Sequence, residues 1–166
     1  MAINGKLEVE IEVKSSADKF WSIIKESAAI FPKAFPNDYK SIENLEGDGK
    51  IAGSVRLITF GEGSPLVKII KEKIDVVDDS ERTLTYSIID GDLLNYFEKF
   101  KGRIIVTPKG DGSLVKWSCE YEKNSQKVFE AEIIKEFALN TFLKVDEYIL
   151  NVLYVLDNLN YKIFSN

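Results

Sequence analysis

The sequence predicts an α+β domain, a curved antiparallel sheet packed on one long C-terminal helix. Three observations predict it. Apolar and polar residues alternate from Lys6 and again from Tyr39 to Tyr121. Turn-forming clusters cut the second stretch at short intervals, and after Ser125 the apolar period lengthens from two to between three and four. The order is strand, helix pair, about six strands and long helix, which segregates the helices from an antiparallel meander. No linker, internal repeat or low-complexity tract divides the chain, so one domain over residues 1–166 is expected.

In the first strand Leu7, Val9, Ile11 and Val13 alternate with Lys6, Glu8, Glu10, Glu12 and Lys14, giving one buried and one wet face. Ser15 or Ser16 then caps a helix, with Asp18 in its first turn and Phe20, Ile23 and Ile24 on one side beside Trp21. Pro32 and Pro36 keep the second helix short. The strands that follow break at Gly47-Asp48-Gly49, Gly61 to Pro65, Asp78-Asp79-Ser80, Asp90-Gly91-Asp92 and Lys109 to Gly112. Gly47-Asp48-Gly49 lies between strands with no helix after it, so it reads as a hairpin and not as a nucleotide loop. In the last third Ile134, Ala138, Thr141, Val145, Ile149, Val152 and Leu156 form a helical stripe. Tyr148 to Leu156 is apolar on more than one face, as expected of a helix held inside a sheet; a dimer or membrane-surface contact is the alternative.

Composition excludes several function classes. Lys and Arg number 22 against 27 Asp and Glu, for a net charge of −5, which disfavours a nucleic-acid partner. The chain has no histidine, which removes Ser-His-Asp and Cys-His catalysis and the HExxH zinc site. With one cysteine, Cys119, a metal site would need a carboxylate cage, and none is visible; no metal or cofactor is expected. No signal peptide opens the sequence, and its longest apolar run is far short of the ~20 residues of a membrane span. A soluble cytoplasmic protein, monomeric or weakly homodimeric, is expected.

A single helix does not fill a strongly curved sheet, so the remaining volume becomes a cavity. Alternation turns Leu84, Tyr86 and Ile88 inward, then Phe100, Gly102, Ile104 and Val106, then Val115, Trp117, Cys119 and Tyr121. In Ile70-Lys71-Glu72-Lys73-Ile74, Glu72 is in phase with two isoleucines. A carboxylate there must be paired, hydrogen-bonded or neutralised. Arg56 is its candidate partner if Ile58 and Phe60 define the inner face, although Val55 and Leu57 argue for the opposite phase. Two readings of Glu72 stand: a structural ion pair, or a polar anchor or general acid/base. Cys119 has no histidine to activate it and reads as core or pocket lining.

Several stretches resemble the birch pollen allergen (Bet v I) superfamily of plant proteins. They include Phe31-Pro32-Lys33, Pro36, Ser41 to Gly49, Lys71 to Asp75 and Tyr86 to Asp92. Val106 to Trp117 with Glu120 to Lys123 resembles the major latex protein branch. The resemblance runs in order along nearly the whole chain and is weakest in the C-terminal helix. Gate and latch sequences of abscisic acid receptors are not recognisable at Gly61 to Pro65 or Ile89-Asp90-Gly91. The resemblance implies a helix-grip fold, a seven-stranded sheet around the long helix with two short helices after the first strand, and an internal apolar cavity. It also implies a small hydrophobic metabolite (terpenoid, alkaloid, phenolic or steroid) as partner, for storage, transport or defence. The alternative is a cofactor-free cyclase or isomerase acting on a reactive terpenoid or alkaloid intermediate, with Glu72 and Tyr86 as candidate catalytic residues. The expected lining is Arg56, Ile58, Ile70, Glu72, Ile74, Tyr86, Ile88, Phe100, Ile104, Trp117, Cys119, Tyr121, Ile134, Ala138 and Thr141.

Overall fold

A computed structural model describes residues 2–64, 67–124 and 131–164. Strand β1 (Ala2–Val13) leads into helices α1 (Ala17–Lys25) and α2 (Ser27–Ala34). Six strands follow: β2 (Tyr39–Glu46), β3 (Val55–Phe60), β4 (Ile69–Asp78), β5 (Thr83–Gly91), β6 (Phe97–Lys109) and β7 (Gly112–Asn124). A 3-10 turn, Asp92–Asn95, links β5 to β6, and helix α3 (Ala131–Phe164) closes the chain. The sheet order is β1-β7-β6-β5-β4-β3-β2, antiparallel throughout. This is the expected helix-grip arrangement.

Ser16, not Ser15, caps α1: its hydroxyl accepts from Lys19 N at 3.4 Å. Ser15 is instead tied to α3. Asp146 accepts from Ser15 N at 2.9 Å, from Lys14 N at 3.1 Å and from the Ser15 hydroxyl, clamping the end of β1 onto the helix. Lys144 pairs with Asp38 and fixes the same helix to the α2–β2 turn. Pro32 sits inside α2, which ends two residues before Pro36.

The alternation read from the sequence holds. Val9, Val13, Ile74, Phe100, Val106, Val115, Trp117 and Cys119 are buried in one cluster with Phe20, Trp21 and Ile24 of α1. Register shifts in β2, β4 and β6 mark bulges, which bend strands and increase their twist. The resulting concave face receives α3 through Phe142, Val145 and Ile149.

The far half of α3 departs from expectation. Val152, Tyr154, Val155, Leu156 and Leu159 are 41–69% exposed. At 34 residues the helix is about 51 Å long and outruns the sheet that grips it. No helix among the described residues is long and apolar enough to cross a membrane.

Candidate functional site

Between the concave face and the first turns of α3 lies a cavity of about 170 Å³. β3 and β4 supply Arg56, Ile58, Phe60, Ile70 and Glu72; β5 and β6 supply Leu84, Tyr86, Ile88, Phe100 and Ile104; β7 supplies Trp117. The helices contribute Ile24, Ser27 and Phe31 from α1 and α2, and Ile134, Phe137, Ala138, Thr141 and Phe142 from α3. Tyr39, Ile42 and Leu93 complete the wall.

Twelve of the residues expected from the sequence line this space: Arg56, Ile58, Ile70, Glu72, Tyr86, Ile88, Phe100, Ile104, Trp117, Ile134, Ala138 and Thr141. Ile74, Cys119 and Tyr121 share the inner face but do not reach the cavity. Ile74 is wholly enclosed where its backbone bonds to Gly53 and Ser54. Cys119 is packed at 1% exposure, and the Tyr121 ring lies over Gly5 in a T-shaped pair with Phe97, at a centroid distance of 5.1 Å. A Cβ on Gly5 would come within 2.2 Å of that ring, so glycine is what admits it.

The polar centre is one ion pair. Arg56 Nε donates to Glu72 Oε1 at 2.8 Å, and Nη2 lies 2.6 Å from the same oxygen. Arg56 Nη1 donates to Ser27 Oγ at 2.7 Å, which ties α2 to the pair. Register explains the meeting, since Arg56 stands opposite Glu72 across β3 and β4. It also settles the phase of β3: Arg56, Ile58 and Phe60 face the cavity, while Val55 is buried outside the main core cluster. Oε2 of Glu72 accepts from no described residue. Glu72 itself is among the residues that line the cavity.

Two phenols complete the polar set. Trp117 Nε1 donates to Tyr86 Oη at 3.0 Å, leaving the Tyr86 proton to be donated elsewhere. Burial, then the nearby Glu72 charge, pushes the Tyr86 phenol above its ordinary range, so it acts as a donor and not as a base at neutral pH. Its ring lies flat across β6 because residue 102 is glycine; a Cβ there would fall 2.1 Å from the ring. Tyr39 and Thr141 lie 3.1 Å apart. Thr141 spends its proton on Phe137 O at 3.0 Å, so Tyr39 is the donor of that pair. Burial raises the Tyr39 phenol as well.

Residues 2–152 match the model of the Pathogenesis-related protein Bet v 1 family. The chain belongs to the Bet v 1 family. It falls in the major latex protein branch of that family: an MLP-like protein of Arabidopsis thaliana, number 423, is 53% identical over 150 residues, covering 90% of this chain and 97% of the relative. A crystal structure of ginseng major latex-like protein 151 superposes with a TM-score of 0.79 at 25% identity, covering 87% of this chain and 97% of that one. A norcoclaurine synthase point mutant from Thalictrum flavum, in complex with a transition state analogue, superposes with a TM-score of 0.75 at 25% identity, over 91% and 97% of the two chains. Some Bet v 1 proteins are thus enzymes, and the fold alone does not assign a role.

Sequence reasoning left Phe31, Tyr39 and Phe137 of the aromatic wall out of the expected lining, and placed Phe60 inward only on one of the two phases open for β3. Tyr39 and Phe60, the end residues of β2 and β3, stand opposite each other. Ser27 carried no signal, because its role depends on where α2 docks.

Proposed function

We propose that this Bet v 1 protein captures small hydrophobic metabolites carrying one polar substituent, for storage, transport or defence in the plant cytoplasm. The observation that carries the reading is an apolar cavity in whose polar centre, among the described residues, nothing donates to the second Glu72 oxygen and nothing accepts the Tyr86 proton. Ligand hydroxyl or amine groups would donate to Glu72 Oε2, and a ligand oxygen would accept from Tyr86. Apolar burial supplies affinity at roughly 25 cal/mol per Å². The expected working form is a monomer or weak homodimer, with no nucleic acid involved. Native mass spectrometry after incubation with plant metabolite extract tests this: an apolar metabolite retained unchanged is expected, and retention of none would reject it.

Catalysis is the second reading, favoured by the likeness to the synthase. Here the cavity would pre-fold a reactive terpenoid or alkaloid intermediate, Glu72 would take a proton and Tyr86 would give or hold one. New isomers or cyclised products in the same incubation are its signature. Glu72→Gln separates the roles: the amide oxygen still accepts from a neutral ligand, so capture persists, while turnover falls at least ~100-fold if the carboxylate moves the proton.

A further inference from the structure

A second, smaller cavity of about 70 Å³ lies beside the first. The two share four wall residues, Phe60, Leu93, Ile134 and Phe137. Ser64, Val67 and Ile133 line only the outer one. Phe60 and Phe137 form a T-shaped pair, centroids 5.5 Å apart at 86°, and both lean on Tyr39 at 5.6 and 5.7 Å. Tyr39 is held by Thr141, whereas Phe60 and Phe137 are only half-buried. Tyr39 thus anchors the three-ring cluster, and Phe60 and Phe137 each border both cavities.

The outer chamber has a built frame. Ser64 Oγ donates to Val67 O at 2.7 Å, closing the connection between β3 and β4. Asp92 then accepts from Lys68 N at 2.8 Å and Ile69 N at 3.1 Å, which brings Leu93 of the 3-10 turn against the same space. Phe60, Ser64, Val67 and Leu93 therefore come from two segments bonded to each other, and Ile133, Ile134 and Phe137 of α3 make the rest of the wall.

Size decides what each chamber holds. A dry apolar cavity of ~150 Å³ accepts benzene. The inner chamber, at about 170 Å³, is thus a one-ring site; the outer chamber, at about 70 Å³, is too small for a second ring but admits a short aliphatic chain. We propose that the Phe60–Phe137 pair is a partition that selects ligands with one polar-substituted ring in the inner chamber and a short apolar tail in the outer one. This rests on the reading that the inner cavity binds small molecules.

Calorimetry with phenol, 4-propylphenol and 4-hexylphenol on the full chain tests it. Wild-type protein should bind 4-propylphenol at least ~10-fold tighter than phenol, as three buried methylenes allow. Ile133→Trp, which fills only the outer chamber, should remove that gain and leave phenol affinity unchanged. Phe137→Ala merges the chambers and should bind 4-hexylphenol ~10-fold tighter than wild type does. Val67→Phe and Phe60→Ala repeat the two tests from the opposite wall if either variant folds poorly by circular dichroism. A propyl gain that survives both Ile133→Trp and Val67→Phe overturns the partition while leaving cavity binding intact. Failure of all three phenols to bind wild-type protein overturns both readings.

Discussion

Arg56 and Glu72 bring opposite charges into an apolar wall, with side-chain exposures of 12% and 7%. Removing one partner strands the other, which costs about 3–5 kcal/mol, whereas replacing both by apolar groups is often neutral. Arg56→Met alone should therefore lower unfolding free energy by about 3 kcal/mol, and Arg56→Met with Glu72→Leu should recover most of it. Urea melts of the single and double variants check this; a double variant no more stable than Arg56→Met alone would mean that the pair contributes net stability. The pair was half legible beforehand. Glu72 stood out because it interrupts an apolar phase on β4, but β3 carries apolar residues on both faces, so alternation alone left Arg56 undecided until register placed it opposite Glu72. That Arg56 also reaches Ser27 on α2 is a tertiary fact with no local trace.

Strand faces were legible because inner and outer residues differ sharply in polarity along β1, β6 and β7, while the extent of α3 was not. Its apolar stripe continues in phase past the point where the sheet ends, so periodicity gives no sign of the change from Ile149, 5% exposed, to Val152, 41% exposed. The two halves should differ in energetic weight. Ile149→Ala removes a buried side chain and should cost about 2–4 kcal/mol. A chain ending at Tyr154 loses Val155, Leu156 and Leu159, each roughly half-exposed, and should keep its urea midpoint within the equivalent of about 1 kcal/mol. The match to the family model ends in the same region, at residue 152. A truncation as costly as Ile149→Ala would show that the projecting half packs on the body of the protein in solution.

Proton binding by the whole molecule is unusual because the sequence has no histidine, leaving no side chain of ordinary pKa between about 5 and 8. Three of the groups that release protons on the alkaline side, Cys119, Tyr39 and Tyr86, face the protein interior. Burial pushes the Cys119 thiol up to about 12 from 9.0, and it raises the Tyr39 and Tyr86 phenols above their usual 10.0. In each case the folded state holds a proton that the unfolded chain releases at lower pH. A raised folded pKa contributes stability that is complete below the unfolded value and lost as pH climbs toward the folded one. For Cys119 that window runs from about 9 to about 12. Stability should stay nearly flat from pH 6 to 8 and then fall, with Cys119 alone contributing a slope of up to about 1.4 kcal/mol per pH unit. Cys119→Ala lowers stability at pH 7 through the volume it removes, but its decline between pH 9.5 and 11 should be shallower than wild type by that amount. Urea melts across this range read the slope directly, and parallel slopes would show that the thiol titrates alike in the folded and unfolded chain.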